Sequence, residues 1–113
     1  MIPDVNIDSN RLAAEIEQLA HISDTPYPSV TRVLFSAADL RARAVIKTWF
    51  ADARLAVRED AVGNTFARWQ GSDTSAAPIA TGSHADAIPN AGRFDGVVGV
   101  LGALEAEIGR AHV

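Results

Sequence analysis

A histidine, two aspartates and a cluster of glycines converge in one stretch, residues 81–102, which reads TGSHADAIPNAGRFDGVVGVLG. His84 and Asp86 form a His-x-Asp pair, and Asp95 follows eleven positions after His84, where a glycine-rich helical pattern begins. Metal chemistry suits each residue for its own reason. A neutral imidazole is a good ligand for zinc or manganese, and a carboxylate on its other ring nitrogen commonly fixes its orientation, a role open to Asp86. Asp95 has two oxygens and can bridge two ions a few ångströms apart. Structural roles compete for the same residues: Asp95 as a helix N-cap, Asp86 as a turn former, His84 as the polar end of a buried strand. A pattern this short has a high false-positive rate, so spacing does not choose between them. Two other chemistries fit worse. Adjacent side chains on a strand point to opposite faces, so Ser83 does not readily meet His84 in a nucleophilic triad. A glycosidase would use the two carboxylates with an aromatic sugar platform, and none accompanies them.

Two elements would have to position this group. The apolar run at Pro78, Ile79 and Ala80 predicts a strand leading into His84, and a helix is expected from about Asp95. That helix carries glycines at 96, 99 and 102. Each glycine costs a helix interior about 1 kcal/mol relative to alanine, which predicts a smooth face lying close against a sheet. The strand end at His84 and the helix start at Asp95 would then face one cleft.

Upstream, Asp8 or Ser9 caps a predicted helix to about Ala20, with Leu12, Ile16, Leu19 and Ala20 on one face. Pro26 and Pro28 mark a loop from His21 to Phe35 that ends in Thr31-Arg32-Val33. His21 suits the last carbonyls of the preceding helix better than a metal. Arg32 is read either as a holder of a substrate carboxylate or as a surface charge. Ser36 to Asp39 resembles a capping box and opens a helix to about Ala53, which buries Ala42, Val45, Ile46, Trp49 and Phe50. Alternation from Leu55 to Glu59 and from Thr65 to Trp69, around Gly63-Asn64, predicts a hairpin. The order predicts a layered α/β domain, a mixed sheet flanked by helices.

At 113 residues and 48% hydrophobic composition the chain has ample material for one packed core. The net charge of −4 and ten scattered Lys and Arg offer no basic stripe, which argues against nucleic acid as a partner. The start has no apolar signal region and no run reaches the ~20 residues of a membrane span, so a soluble, cytoplasmic protein is expected. Without cysteine, disulfides and thiolate zinc sites are excluded, and any metal falls to imidazole and carboxylate.

The string GSHADAIPNAGRFDGVVGVLGALEA closely resembles the first metal-ligand motif of the M20-type metallo-amidohydrolases. The branch is the one that holds N-carbamoyl-L-amino-acid hydrolases, allantoate amidohydrolases and ureidoglycolate amidohydrolases. The resemblance continues through VTRVLFSAADLRARA and AVREDAVGNTFARW, and its wording lies nearest the ureidoglycolate and allantoate side. It implies the N-terminal, truncated part of a zinc-peptidase-like catalytic domain over residues 1–107. It also implies hydrolysis of a ureido or carbamoyl C–N bond with two divalent ions, zinc or manganese. His84 would bind one metal, Asp95 would bridge both, and Asp86 takes the catalytic role of orienting His84. The substrate would be a small ureido or N-carbamoyl acid, and the complete enzyme a homodimer; an aminoacylase or peptidase of the same type is the alternative activity. The family's Glu-Glu pair, later histidines and lid domain have no counterpart here, since Glu105 and Glu107 do not match the pair. These 113 residues alone are therefore expected to be inactive, at most a weak metal-binding or interaction module. Such a piece should also expose an apolar edge and tend to aggregate. Arg54 stands where glycine usually turns the helix into the following strand, and Ala85 where a larger aliphatic residue is common. Residues 108–113 depart from the family pattern, resemble translated sequencing adapter and are expected to be a non-native tail, so His112 is not counted as a ligand.

Overall fold

The computed structural model describes residues 4–111. In chain order they form α1 (Ser9–Ala20), β1 (Val30–Arg32), α2 (Ala37–Asp52), β2 (Ala56–Glu59), β3 (Thr65–Arg68), β4 (Ala87–Ala91) and α3 (Val97–Ala111). Asp8 caps α1 by accepting the Arg11 N–H at 3.0 Å. Ser36 caps α2 by accepting the Asp39 N–H at 3.2 Å. The return contact differs from a standard capping box: the Asp39 carboxylate accepts from Phe35 N–H at 2.9 Å, one residue before the cap. After α2 the chain turns at Arg54 with φ 63. An arginine in this left-handed position costs on the order of 1 kcal/mol where glycine would cost nothing.

The core lies between the helices. Ile16 and Leu19 from α1, Ala42 and Ile46 from α2, and Val97, Leu101 and Leu104 from α3 form one buried cluster. Val45, Trp49 and Phe50 pack around it, half-buried, as the spacing of α2 predicts. The strands make two antiparallel pairs. β2 and β3 form the expected hairpin, with Glu59 opposite Thr65 and Arg58 opposite Phe66. β1 pairs with the distant β4, with Val30 opposite Ala91 and Arg32 opposite Ala87.

Several expectations are corrected here. The α/β character is present, but both strand pairs are antiparallel. Pro78, Ile79 and Ala80 form no strand; Ile79 is 99% exposed, because the run finds no neighbouring strand among the described residues. The strand instead follows His84, at β4, where β1 supplies the ladder partner despite Pro89. The last helix begins at Val97, leaving Asp95 and Gly96 in the turn before it. Gly102 has open space beside it, so the three glycines do not share one close contact. Residues 108–111 are part of α3 and Ile108 packs against the core, which does not test the expectation that 108–113 are a non-native tail. His112 and Val113 lie outside the described residues.

The chain is flat, measuring 45 × 34 × 19 Å, with a radius of gyration of 14.8 Å. A compact domain of this length would have about 13 Å. Its accessible surface is 7423 Å², against roughly 6,000 Å² for a folded monomer of this mass. Ile79, Val62, Ile88 and Phe94 contribute to the surplus, with 99%, 73%, 69% and 57% exposure.

One charged cluster fastens α1 to α3. The Arg11 guanidinium donates to both oxygens of the buried Glu105 carboxylate, at 2.9 and 2.6 Å, and the Asp8 N–H donates to the same group at 2.9 Å. The Arg11 hydrogen bonds hold the Glu105 carboxyl below its ordinary pKa. Burial, then the charge of Glu105, pushes the neighbouring Glu15 carboxyl up. The two signs are opposite. Glu105 stabilises the fold above the unfolded carboxylate pKa of about 4.3 and stops doing so as pH falls through its folded value. Ionised Glu15 costs stability near neutral pH, and that cost disappears as the pH falls below its raised folded value. In urea melts, Glu105→Gln should therefore lower stability at pH 7, with the deficit shrinking in acid. Glu15→Gln should raise stability at pH 7, with the gain shrinking in acid; parallel profiles for the two variants would refute the assignment.

Candidate metal centre

His84 lies in the unpaired segment just before β4, and Asp95 in the turn before α3. The fold brings these two predicted residues together. His84 Nε2 is 3.5 Å from Asp95 Oδ1. On its other side, Nδ1 faces the Asp86 backbone oxygen at 2.9 Å and the Asp86 carboxylate oxygen Oδ1 at 3.3 Å. Both of these neighbours only accept hydrogen bonds and lie nearer to Nδ1 than Asp95 does to Nε2, so a ring with a single proton places it on Nδ1. Nε2 then turns a lone pair toward the Asp95 carboxylate. Two electron-rich groups facing each other at 3.5 Å are complementary to a cation between them. Two ligands each about 2.1 Å from one ion, at a tetrahedral angle, lie about 3.4 Å apart. The donor set and spacing fit a divalent ion.

Glycine makes the approach possible. A Cβ on Gly96, which has φ +70, would lie 2.3 Å from the His84 carbonyl oxygen and 2.6 Å from ring atoms Cε1 and Nδ1. A Cβ on Gly99 would lie 2.6 Å from Ser83 Cβ. The start of α3 is thus laid directly on residues 83–84, and two of the three glycines serve that contact. His84 is 54% exposed and Asp95 36%, so both are open to a ligand from solvent.

Among the described residues no group of three or more His, Asp or Glu is arranged to hold a metal ion. His21 is occupied at the end of α1, where its Nδ1 lies 2.8 Å from the Glu17 carbonyl and its ring stacks on Tyr27. Glu105 is held by Arg11. Arg32 has neither of its expected roles. It is 1% exposed, and its guanidinium donates to the backbone oxygens of Ala85, Leu19 and Ile22. The one local signal of this burial is an arginine set inside the short β-branched run Val30-Thr31-Arg32-Val33.

Comparison with known proteins bears on the same stretch. No family model matches the chain. Over 100 residues it is 57% identical to the ureidoglycolate hydrolase of Oryza sativa subsp. japonica, covering 88% of this chain and 21% of that protein. It is 39% identical over 101 residues to an N-carbamoyl-L-amino-acid amidohydrolase of Pseudomonas sp., covering 89% of this chain and 24% of that protein. With the allantoate amidohydrolase of Bacillus subtilis it shares 37% over 97 residues, 86% of this chain and 24% of that protein. The chain belongs to this amidohydrolase family. The crystal structure of AtUAH in complex with glyoxylate matches 96% of the chain at a TM-score of 0.93 and 49% identity, over 26% of that protein. The chain thus spans between a fifth and a quarter of the length of the curated relatives it matches. No helix among its described residues is long and apolar enough to cross a membrane.

Proposed function

We propose that the chain contributes one half of the metal site of an enzyme that hydrolyses a ureido or carbamoyl C–N bond. The observation that carries the proposal is the His84 ring, held through Nδ1 by Asp86 and aimed through Nε2 at Asp95. In this reading His84 and Asp95 are ligands, and Asp86 fixes the tautomer and plane of the ring. Divalent ions in such a site lower the pKa of water and polarise the carbonyl under attack. The protein's part is to hold a neutral imidazole and a carboxylate on a rigid strand-turn-helix frame. The reading also carries two ions, zinc or manganese, a homodimeric complete enzyme and a cytoplasmic location. For the substrate we rank ureidoglycolate ahead of allantoate and N-carbamoyl amino acids, a ranking supported by the higher identity to the ureidoglycolate hydrolase.

Biological zinc sites use three or four protein ligands, and two converge here, so the 113 residues are expected to bind weakly and to turn nothing over. Calorimetric titration with zinc and with manganese should give a weak heat that disappears in His84→Ala and Asp95→Ala. A titration unchanged by both substitutions would sink the ligand assignment. Ammonia release should be absent from the 113-residue chain and, in the complete protein, fastest with ureidoglycolate. Turnover by the chain alone would refute its inactivity.

A further inference from the structure

The segment 84–86 carries the candidate ligand His84 and the carboxylate behind it, yet it makes no strand ladder of its own. Its backbone is fastened between those two residues. Arg32 Nε–H donates to the Ala85 carbonyl at 2.8 Å, and Nη1 donates to the Leu19 and Ile22 carbonyls at 2.9 Å each. Leu19 belongs to the last turn of α1, where its carbonyl also accepts from the Ile22 N–H at 3.0 Å and the helix end favours a cation. The Arg32 backbone lies opposite Ala87, the first residue of β4. One guanidinium therefore ties the end of α1, the end of β1 and the ring-bearing segment into a single unit.

This arrangement is costly enough to need a reason. Burial lowers the Arg32 pKa, opposed by the charges of Asp39 and Asp86, and no carboxylate lies within salt-bridge distance of it among the described residues. A buried charge with backbone partners alone is normally a poor route to stability. What the contact does achieve is to fix the peptide oxygen between His84 and Asp86. With the Ala85 carbonyl held, the Asp86 carbonyl and carboxylate are presented together to His84 Nδ1.

We infer that Arg32 is a positioning residue: by holding the Ala85 carbonyl it sets the His84 ring in the Nδ1–H tautomer, with Nε2 directed at Asp95. The inference deepens the proposed metal site and rests on that reading for its purpose, though the fixed ring can be tested without metal. A lysine keeps the charge but cannot span three carbonyls with a planar fork. Arg32→Lys should therefore free the ring even where the fold survives.

The test is nitrogen-15 NMR of the His84 ring in the metal-free 113-residue chain and in Arg32→Lys, with thermal melts and a cobalt titration of each. In the unsubstituted chain a dominant Nδ1–H tautomer is expected. In Arg32→Lys a mixture is expected, with cobalt affinity lower by roughly 10–100-fold, the range for loss of an orienting partner. A lower melting temperature with an unchanged tautomer and unchanged cobalt affinity would overturn the inference, because that is what a merely structural arginine predicts. If the variant does not fold, the unsubstituted chain still decides: a mixed tautomer there overturns the inference, and a fixed one supports it. A fixed ring that Arg32→Lys releases, in a chain that binds no cobalt, would uphold Arg32 while refuting the metal reading.

Discussion

Gly96→Ala is expected to lose at least about 2 kcal/mol of stability and to abolish metal binding at His84, a larger effect than any other single methyl should have here. Two costs combine at this position. The backbone is left-handed, at φ +70, where alanine is penalised by about 1 kcal/mol or more. The new methyl would also sit 2.3 Å from the His84 carbonyl oxygen, and overpacking of this kind typically adds about 1–3 kcal/mol. Backbone cannot rotate out of the way as a flexible side chain could, so the helix start and residues 83–84 must separate. Gly102→Ala is the matched control. Gly102 is inside α3 with open space around its Cα, so alanine should stabilise the helix by up to about 1 kcal/mol. Urea melts and zinc titrations of both variants check the pair. A Gly96→Ala chain as stable as its parent, with the same affinity, would show that the His84 contact does not exist in solution.

Leu101→Ala should have the largest effect on stability alone, about 2–5 kcal/mol. Leu101 is fully buried in the cluster where α1, α2 and α3 meet. Whole domains are stabilised by only about 5–15 kcal/mol, so the variant should melt far below its parent or not fold. Leu40→Ala on the outer face of α2 provides the comparison. Leu40 is 55% exposed, and its loss should stay within about 0.5 kcal/mol. Similar melting temperatures for the two variants would mean that the three helices do not share this core.

The helices were legible because their signals are local. Asp8 and Ser36 announce the starts of α1 and α2, and apolar residues at three- and four-residue spacing mark the faces that are in fact buried. The hairpin was legible for the same reason: Gly63 takes positive φ, and Asp60 accepts from the Asn64 amide in the loop between β2 and β3. The second strand pair was not. β4 reads AIPNA, with a proline and with Asn90 at φ 57, and becomes a strand only because the distant β1 lies beside it. The apolar run at Pro78 to Ala80 shows the reverse error, since β-propensity forms no strand without a neighbour. At the candidate site, residue types suggested ligands, and the family resemblance singled out His84, Asp86 and Asp95 together. Their distances depend on Gly96 and on Arg32, whose burial arises from packing between remote segments.

The flatness of the chain also bears on how it should unfold. With surface already in water that a compact domain would hide, unfolding uncovers less new apolar area. Heat capacity change and denaturant sensitivity both scale with that newly uncovered area. The folded chain is therefore closer to its unfolded ensemble in hydration than its length suggests. Its stability should vary gently with temperature and urea, giving broad transitions even though Asp8 and Ser36 cap the starts of α1 and α2.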